Sequence, residues 1–143
     1  MTTDSEKRTG GCLCGAVRYE IEGQIRDVIA CHCTMCRKQT GHFLATADVW
    51  NEQFRLTEQS GLKWYRSSPG NRRGFCETCG SVLFFQSDGS EYICITAGTI
   101  DGKTGLRMAA HIFVADKGDY YTIDDGVDQF DGETDSVPMP ERQ

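Results

Sequence analysis

Seven of the eight cysteines in this chain fall into three clusters, and the clusters constrain every fold the rest of the sequence can adopt. They are Cys12-x-Cys14, Cys31-x-Cys33-x-x-Cys36 and Cys76-x-x-Cys79, with Cys94 standing alone. In C-x-x-C a tight turn directs both thiolates at one point, and a following glycine lets backbone amides approach the sulfurs. Gly15 follows Cys14 and Gly80 follows Cys79. In C-x-C the two side chains share one side of an extended segment. A closed structural zinc takes four ligands, and an open zinc takes three plus a water or substrate. Seven ligands make one complete tetrahedron and one incomplete one. The two pairs, Cys12 and Cys14 with Cys76 and Cys79, are expected to form the closed site. Cys31, Cys33 and Cys36 then remain for the other ion. Spacing alone leaves alternatives: His32 or His42 could supply a fourth ligand and close the triad, or the triad could be a redox-active dithiol. Cys94, in "YICIT", reads as a core residue, since free cysteine is among the most buried residue types.

What cysteines do depends on the compartment. The opening "MTTDSEKRTG" is polar and lacks the apolar stretch of about 7–15 residues that a secretory signal needs. No apolar run approaches the roughly 20 residues that span a bilayer. The expected setting is therefore cytoplasmic and reducing, where clustered cysteines bind metal or do chemistry. A formal net charge of −6 argues against a nucleic-acid or membrane-surface partner, because phosphate binding is driven by a basic face. With 143 residues, 38% of them hydrophobic, the chain is long enough for one domain with its own core. A metal would add to that core rather than replace it.

The sequence divides into a charged flexible leader at residues 1–9, one domain at 10–130, and an acidic tail at 131–143. The tail, "DGETDSVPMPERQ", carries two prolines and little apolar content, so it is expected to be disordered. Between the ends, strand signals dominate. "AVRYEIE" alternates Val17, Tyr19 and Ile21 against polar neighbours. "HFLATADVW", "QFRL", "KWYR", "SVLFFQ", "YICITAG", "HIFVA" and "YYTID" are short, β-branched or aromatic, and bounded by turn residues. One helical turn is expected from Met35 to Gln39, closed by Gly41. The fold class is all-β, a sandwich or barrel-like domain of roughly eight to ten short strands.

"GGCLCGAVRYE", "CHCTMCRKQTG", "RRGFCETCGSVLFF" and "HIFVADKGDYYTIDDGVDQFD" occur in the order and style of the glutathione-dependent formaldehyde-activating enzyme family, which the chain resembles over roughly residues 10–131. One departure is Tyr121, which stands where a tryptophan is expected. The resemblance implies a mainly β, tent-like fold with two zinc sites. It assigns a structural zinc to Cys12, Cys14, Cys76 and Cys79, and a catalytic zinc to Cys31, Cys33 and Cys36. It also implies a carbon–sulfur lyase that joins glutathione, or a related small thiol, to formaldehyde or a similar aldehyde. The alternative is a non-catalytic, zinc-stabilised binding module of the same fold.

Glutathione carries two carboxylates, so cations near the triad matter. Arg37 and Lys38 flank it. Arg72 and Arg73 lie in "SSPGNRRG", which reads as a flexible loop, and one of them is expected to meet a substrate carboxylate. The competing reading is a solvated loop, or a counter-charge to the thiolate centre. His32 is expected to point away from the metal by alternation. His111 opens a strand and fits the core as easily as a site, while Trp64 and Phe43 read as core.

Overall fold

The computed structural model describes residues 6–142. Among the described residues, ten strands form two sheets, joined by one short α-helix and three 3-10 turns. Strands β1 (Lys7–Gly11), β2 (Arg18–Glu22) and β5 (Phe54–Glu58) form a three-stranded antiparallel sheet in the order β1-β2-β5. The second sheet has seven strands: β3 (Val28–Cys31), β4 (Leu44–Trp50), β6 (Leu62–Ser68), β7 (Asn71–Cys76), β8 (Val82–Ser87), β9 (Tyr92–Thr96) and β10 (Met108–Ile112). Their order is β10-β3-β4-β9-β8-β7-β6, antiparallel throughout except for the parallel pair β10 and β3. The helix α1 (Thr34–Thr40) follows β3 directly.

Alternation explains the main core. Val17, Tyr19 and Ile21 are fully buried, while Arg18 and Glu22 of the same strand turn outward. They meet Ala47 and Val49 of β4, Leu83 and Phe84 of β8, and Ile93 and Ile95 of β9. Tyr19, Phe54 and Phe84 pack with ring centroids 5.3–5.7 Å apart. A smaller apolar cluster of Ile29, Ala110 and Ile112 joins β3 and β10 at the end of the sheet that carries the triad. The helix is short because Cys33 caps its start and Gly41, at φ 82°, ends it in the left-handed region.

Four expectations are corrected. Residues 7–9, placed in a flexible leader, belong to β1, where they pair in register with residues 20–22 and Thr9 donates to Asp101; residues 1–5 lie outside the described residues. Residues 71–74, read as loop, are part of β7. Arg72 bonds Gln86 on β8, Arg73 bonds Ser67 on β6 and Gln39 on α1, and Gly74 makes room for Trp64 and Phe84, whose atoms a Cβ would meet at 3.1 and 2.9 Å. "YYTID" is not a strand, although it is β-branched and aromatic. Its residues are spent on side-chain contacts around His32 and on Tyr120 donating to the Gly41 carbonyl. "HIFVA" is strand only to Ile112, because Phe113 takes a left-handed φ of 53° that ends β10. The acidic tail carries no helix or strand through residue 142. Even so, Val137 packs on the smaller cluster, Trp50 Nε1 donates to the Pro140 carbonyl, and Arg142 lies over the Trp50 ring at 4.0 Å.

Candidate metal centre

Two chain segments supply the four-cysteine cluster, and a third, around Gly61, bridges them. Cys12 and Cys14 sit in the turn between β1 and β2, Cys76 ends β7, and Cys79 follows in the turn before β8. The segments are tied together by backbone bonds: Cys12 N–H to the Val17 carbonyl, Gly61 N–H to the Ala16 carbonyl, and Glu77 N–H to the Gly61 carbonyl. The four sulfurs lie within 4.8 Å of one another, with Cys12–Cys14 and Cys14–Cys76 both at 3.7 Å. A tetrahedron with Zn–S bonds of about 2.3 Å has edges of about 3.8 Å, so the spacing fits the ion. Neutral donors serve the sulfurs. The Val17 amide donates to Cys12 Sγ at 3.2 Å, and Ser81 Oγ lies 3.2 Å from Cys79 Sγ. The Ser81 hydroxyl, with its amide, lowers the Cys79 thiol to about 5.

The triad is built locally. Cys31 is the last residue of β3, Cys33 is the N-cap of α1, and Cys36 lies in the first helical turn, where its amide donates to Cys33 Sγ at 3.3 Å. The three sulfurs again lie within 4.8 Å, and no histidine or carboxylate among the described residues joins them at that distance. Crowding splits their acidity. Hydrogen bonds from Cys31 and Cys36 lower Cys33 to about 2, while Cys33 and Cys36 push Cys31 upward. Such a set shares protons until a cation accepts all three thiolates. Three soft sulfurs with no fourth protein ligand suit zinc with one position open.

His32 turns away from the sulfurs into a buried hydrogen-bonded chain. It is fully buried, with Nδ1 bonded to the Tyr121 hydroxyl and Nε2 to His111 Nδ1 at 2.9 Å; His111 Nε2 in turn meets Asp125 at 2.7 Å. Burial, helped by His111 and His42, lowers His32 to about 4. Both ring nitrogens are therefore engaged, and His32 does not close the triad. His42 packs its ring on Phe43 and Tyr121 instead of joining the sulfurs. Nothing in the local spacing around His32 points to this chain, whose members lie up to 93 positions apart in sequence (Asp125 minus His32); the density of His, Tyr and Asp in "HIFVADKGDYYTIDD" is the only signal.

Arg72 and Arg73 face opposite sides of β7. Arg73, 4% exposed, donates from Nη1 to Gln39 Oε1 at 2.9 Å and to Cys36 Sγ at 3.5 Å, and from Nε to Ser67 Oγ at 3.1 Å. Arg72 lies over the Trp64 ring at 3.8 Å and donates to Gln86. The structure thus brings Arg73 to the triad and leaves Arg72 elsewhere. Cys94 joins neither cluster; it is half-buried beside Asp48 on β4, and burial raises its thiol well above the ordinary range. A groove of about 870 Å³ lies between Arg26, Arg107 and the tail, and no cysteine lines it.

Three comparisons bear on this geometry. A family model described as glutathione-dependent formaldehyde-activating enzyme matches residues 7–116. A Schizosaccharomyces pombe protein described as an uncharacterized lyase is 28% identical over 114 residues, covering 78% of this chain and 82% of its own length. The crystal structure of a Rhodobacter sphaeroides protein superposes with a TM-score of 0.58 at 24% identity, over 68% of this chain and 91% of that one. That last likeness concerns the fold.

Proposed function

The chain belongs to the glutathione-dependent formaldehyde-activating enzyme family, and from that premise we propose that it is a zinc-dependent carbon–sulfur lyase acting on a small thiol and a small aldehyde, with glutathione and formaldehyde as the pair to test first. One observation carries the reading: of two cysteine clusters, one offers four sulfurs and the other three, with no fourth protein ligand among the described residues. Cys12, Cys14, Cys76 and Cys79 would hold a structural zinc, and Cys31, Cys33 and Cys36 a catalytic one. When bound, zinc lowers the pKa of a thiol at its open position and so supplies a thiolate near neutral pH. The thiol sulfur adds to the aldehyde carbon, and the proton it gives up ends on the carbonyl oxygen, leaving a hemithioacetal.

The chain's own residues do the holding. β3 and the first turn of α1 fix the three sulfurs, and the His32 chain anchors the ligand loop from behind. Clusters that need reduced thiols suit a cytoplasmic location. A binding module of the same fold would require the triad to close, and both nitrogens of His32 are already engaged.

The test is exchange NMR on glutathione and formaldehyde at equilibrium. The adduct forms spontaneously, so only the interconversion rate is informative. Zinc-loaded protein is expected to speed exchange and Cys33→Ser to abolish the effect. Unchanged exchange with wild-type protein would sink this substrate pair, and a cobalt-loaded triad blind to every thiol would sink the enzyme reading.

A further inference from the structure

Arg73 is a full positive charge placed where water hardly reaches. Its guanidinium is fixed from three sides: Ser67 on β6, Gln39 on α1, and the Phe85 ring of β8, whose centroid lies 5.1 Å away. The remaining contact is with a ligand sulfur, Cys36 Sγ. Arginine does not lose its proton in a protein, so the charge is permanent. Among the described residues the four-cysteine cluster has no buried cation against a sulfur: the hydrogen-bond donors at its sulfurs are backbone amides, a hydroxyl and neighbouring thiols, all neutral, and Arg18, which acts on Cys12 through its charge, is partly exposed and paired with Asp101.

The difference has a consequence for the fourth ligand. A zinc ion with three thiolates carries one net negative charge, and a fourth thiolate makes it two. In a closed site that penalty is met once, during folding. At the triad it would be met each time a thiolate arrives at a partly buried anion. A guanidinium against Cys36 removes one unit of that repulsion. The side chain is also ill-placed to greet a substrate carboxylate, since its donors are turned inward and it is nearly inaccessible.

We propose that Arg73 is the specificity-determining positioning residue of the triad: held by Gln39 and Ser67 against Cys36, it makes an anionic thiolate, in preference to a neutral ligand, the favoured fourth partner of the metal. The inference rests on the thiol-binding reading above and says which charge state the site selects. The cysteines supply the coordination, and Arg73 supplies the compensation that makes an added anion tolerable.

The experiment uses the full chain loaded with cobalt(II) and follows the visible ligand-field and sulfur-to-metal bands. The probes are 2-mercaptoethanol, a thiol with no carboxylate, then glutathione, and imidazole as a neutral ligand. Arg73→Met is expected to weaken 2-mercaptoethanol and glutathione alike, on the order of tenfold to a hundredfold, with imidazole affinity unchanged or higher. Arg73→Lys should recover much of the loss. Gln39→Glu, which keeps the arginine but pairs it with a carboxylate, should also weaken thiol binding, and it covers the case in which the Arg73→Met protein does not fold. Loss of glutathione binding with 2-mercaptoethanol untouched would overturn the proposal in favour of carboxylate recognition. Equal losses for thiols and imidazole would overturn it in favour of a merely structural role. Thiol binding by the wild type that persists in Arg73→Met and Gln39→Glu defeats this inference alone; a wild-type spectrum blind to every thiol defeats it together with the enzyme reading.

Discussion

The four-cysteine cluster and the triad are made of the same side chain and differ in how far the chain travels to assemble them. Cys14 and Cys76 are brought to 3.7 Å across a sequence separation of 62, while Cys31 to Cys36 need only one strand end and one helical turn. A site that closes a long loop is part of the tertiary structure, and an ion bound there contributes directly to folding. A site formed by neighbours can empty and refill without asking the sheets to move. The hydrogen bonds follow the same division: neutral donors at the first, a buried arginine at the second. On the proposed reading, one cluster serves permanence and the other exchange.

The largest effect that could break this division is loss of the closed site. Cys76→Ser should destabilise the fold by on the order of 3 kcal/mol or more, lowering the melting temperature by roughly 10 °C. Cys33→Ser should leave it within about 2 °C, because only a helix cap and an open ligand set are altered. Calorimetry on the zinc-loaded pair decides this, and equal losses would mean that both ions are structural.

Gly61→Ala sharpens the comparison at a smaller scale. A Cβ at Gly61 would lie 2.7 Å from the Ala16 Cβ and 2.9 Å from Cys76 Sγ, between the two segments that carry the four sulfurs. Overpacking of this kind costs about 1–3 kcal/mol. The variant should release one cobalt equivalent more readily in a chelator titration, with the triad's spectrum and thiol response intact. Release from both sites together would show that the clusters are coupled through the sheet.

Local spacing made the cysteine groupings readable, and alternation made β2 readable, because both are written in adjacent residues. β7 was unreadable for the opposite reason. Arg72 and Arg73 look like loop residues until partners outside their segment engage them, Trp64 and Gln86 for Arg72 and the more distant Cys36 and Gln39 for Arg73. "YYTID" has strand composition, yet Tyr121 is drawn off by His32 and Tyr120 by Gly41. Of two adjacent arginines, only the pleat of the sheet decides which meets the triad, and one residue of register would exchange them. The chain from Tyr121 to Asp125 through two histidines joins three side chains of one stretch, residues 111–125, to the distant His32, and no spacing rule links them.

That chain offers the smallest and most specific test. A carboxylate can only accept, so with both imidazoles neutral His111 donates from Nε2 to Asp125, His32 donates from Nε2 to His111, and the Tyr121 hydroxyl donates to His32. Asp125 thereby sets the ring orientation of the residue lying between two triad cysteines. The hydrogen bond from His111 holds Asp125 below the ordinary carboxylate range. A carboxylate lowered in the folded state stabilises it above its unfolded pKa, and that contribution is lost as pH falls through the folded value. Asp125→Asn should therefore lower the melting temperature by about 1–2 °C near pH 7, with the difference vanishing in acid below the carboxylate range. The triad should also release its metal faster while the closed site does not change, because only the triad's loop leans on His32. A difference that persists in acid would show Asp125 acting through packing rather than charge, and faster release from both clusters would mean that the closed site also depends on the His32 chain.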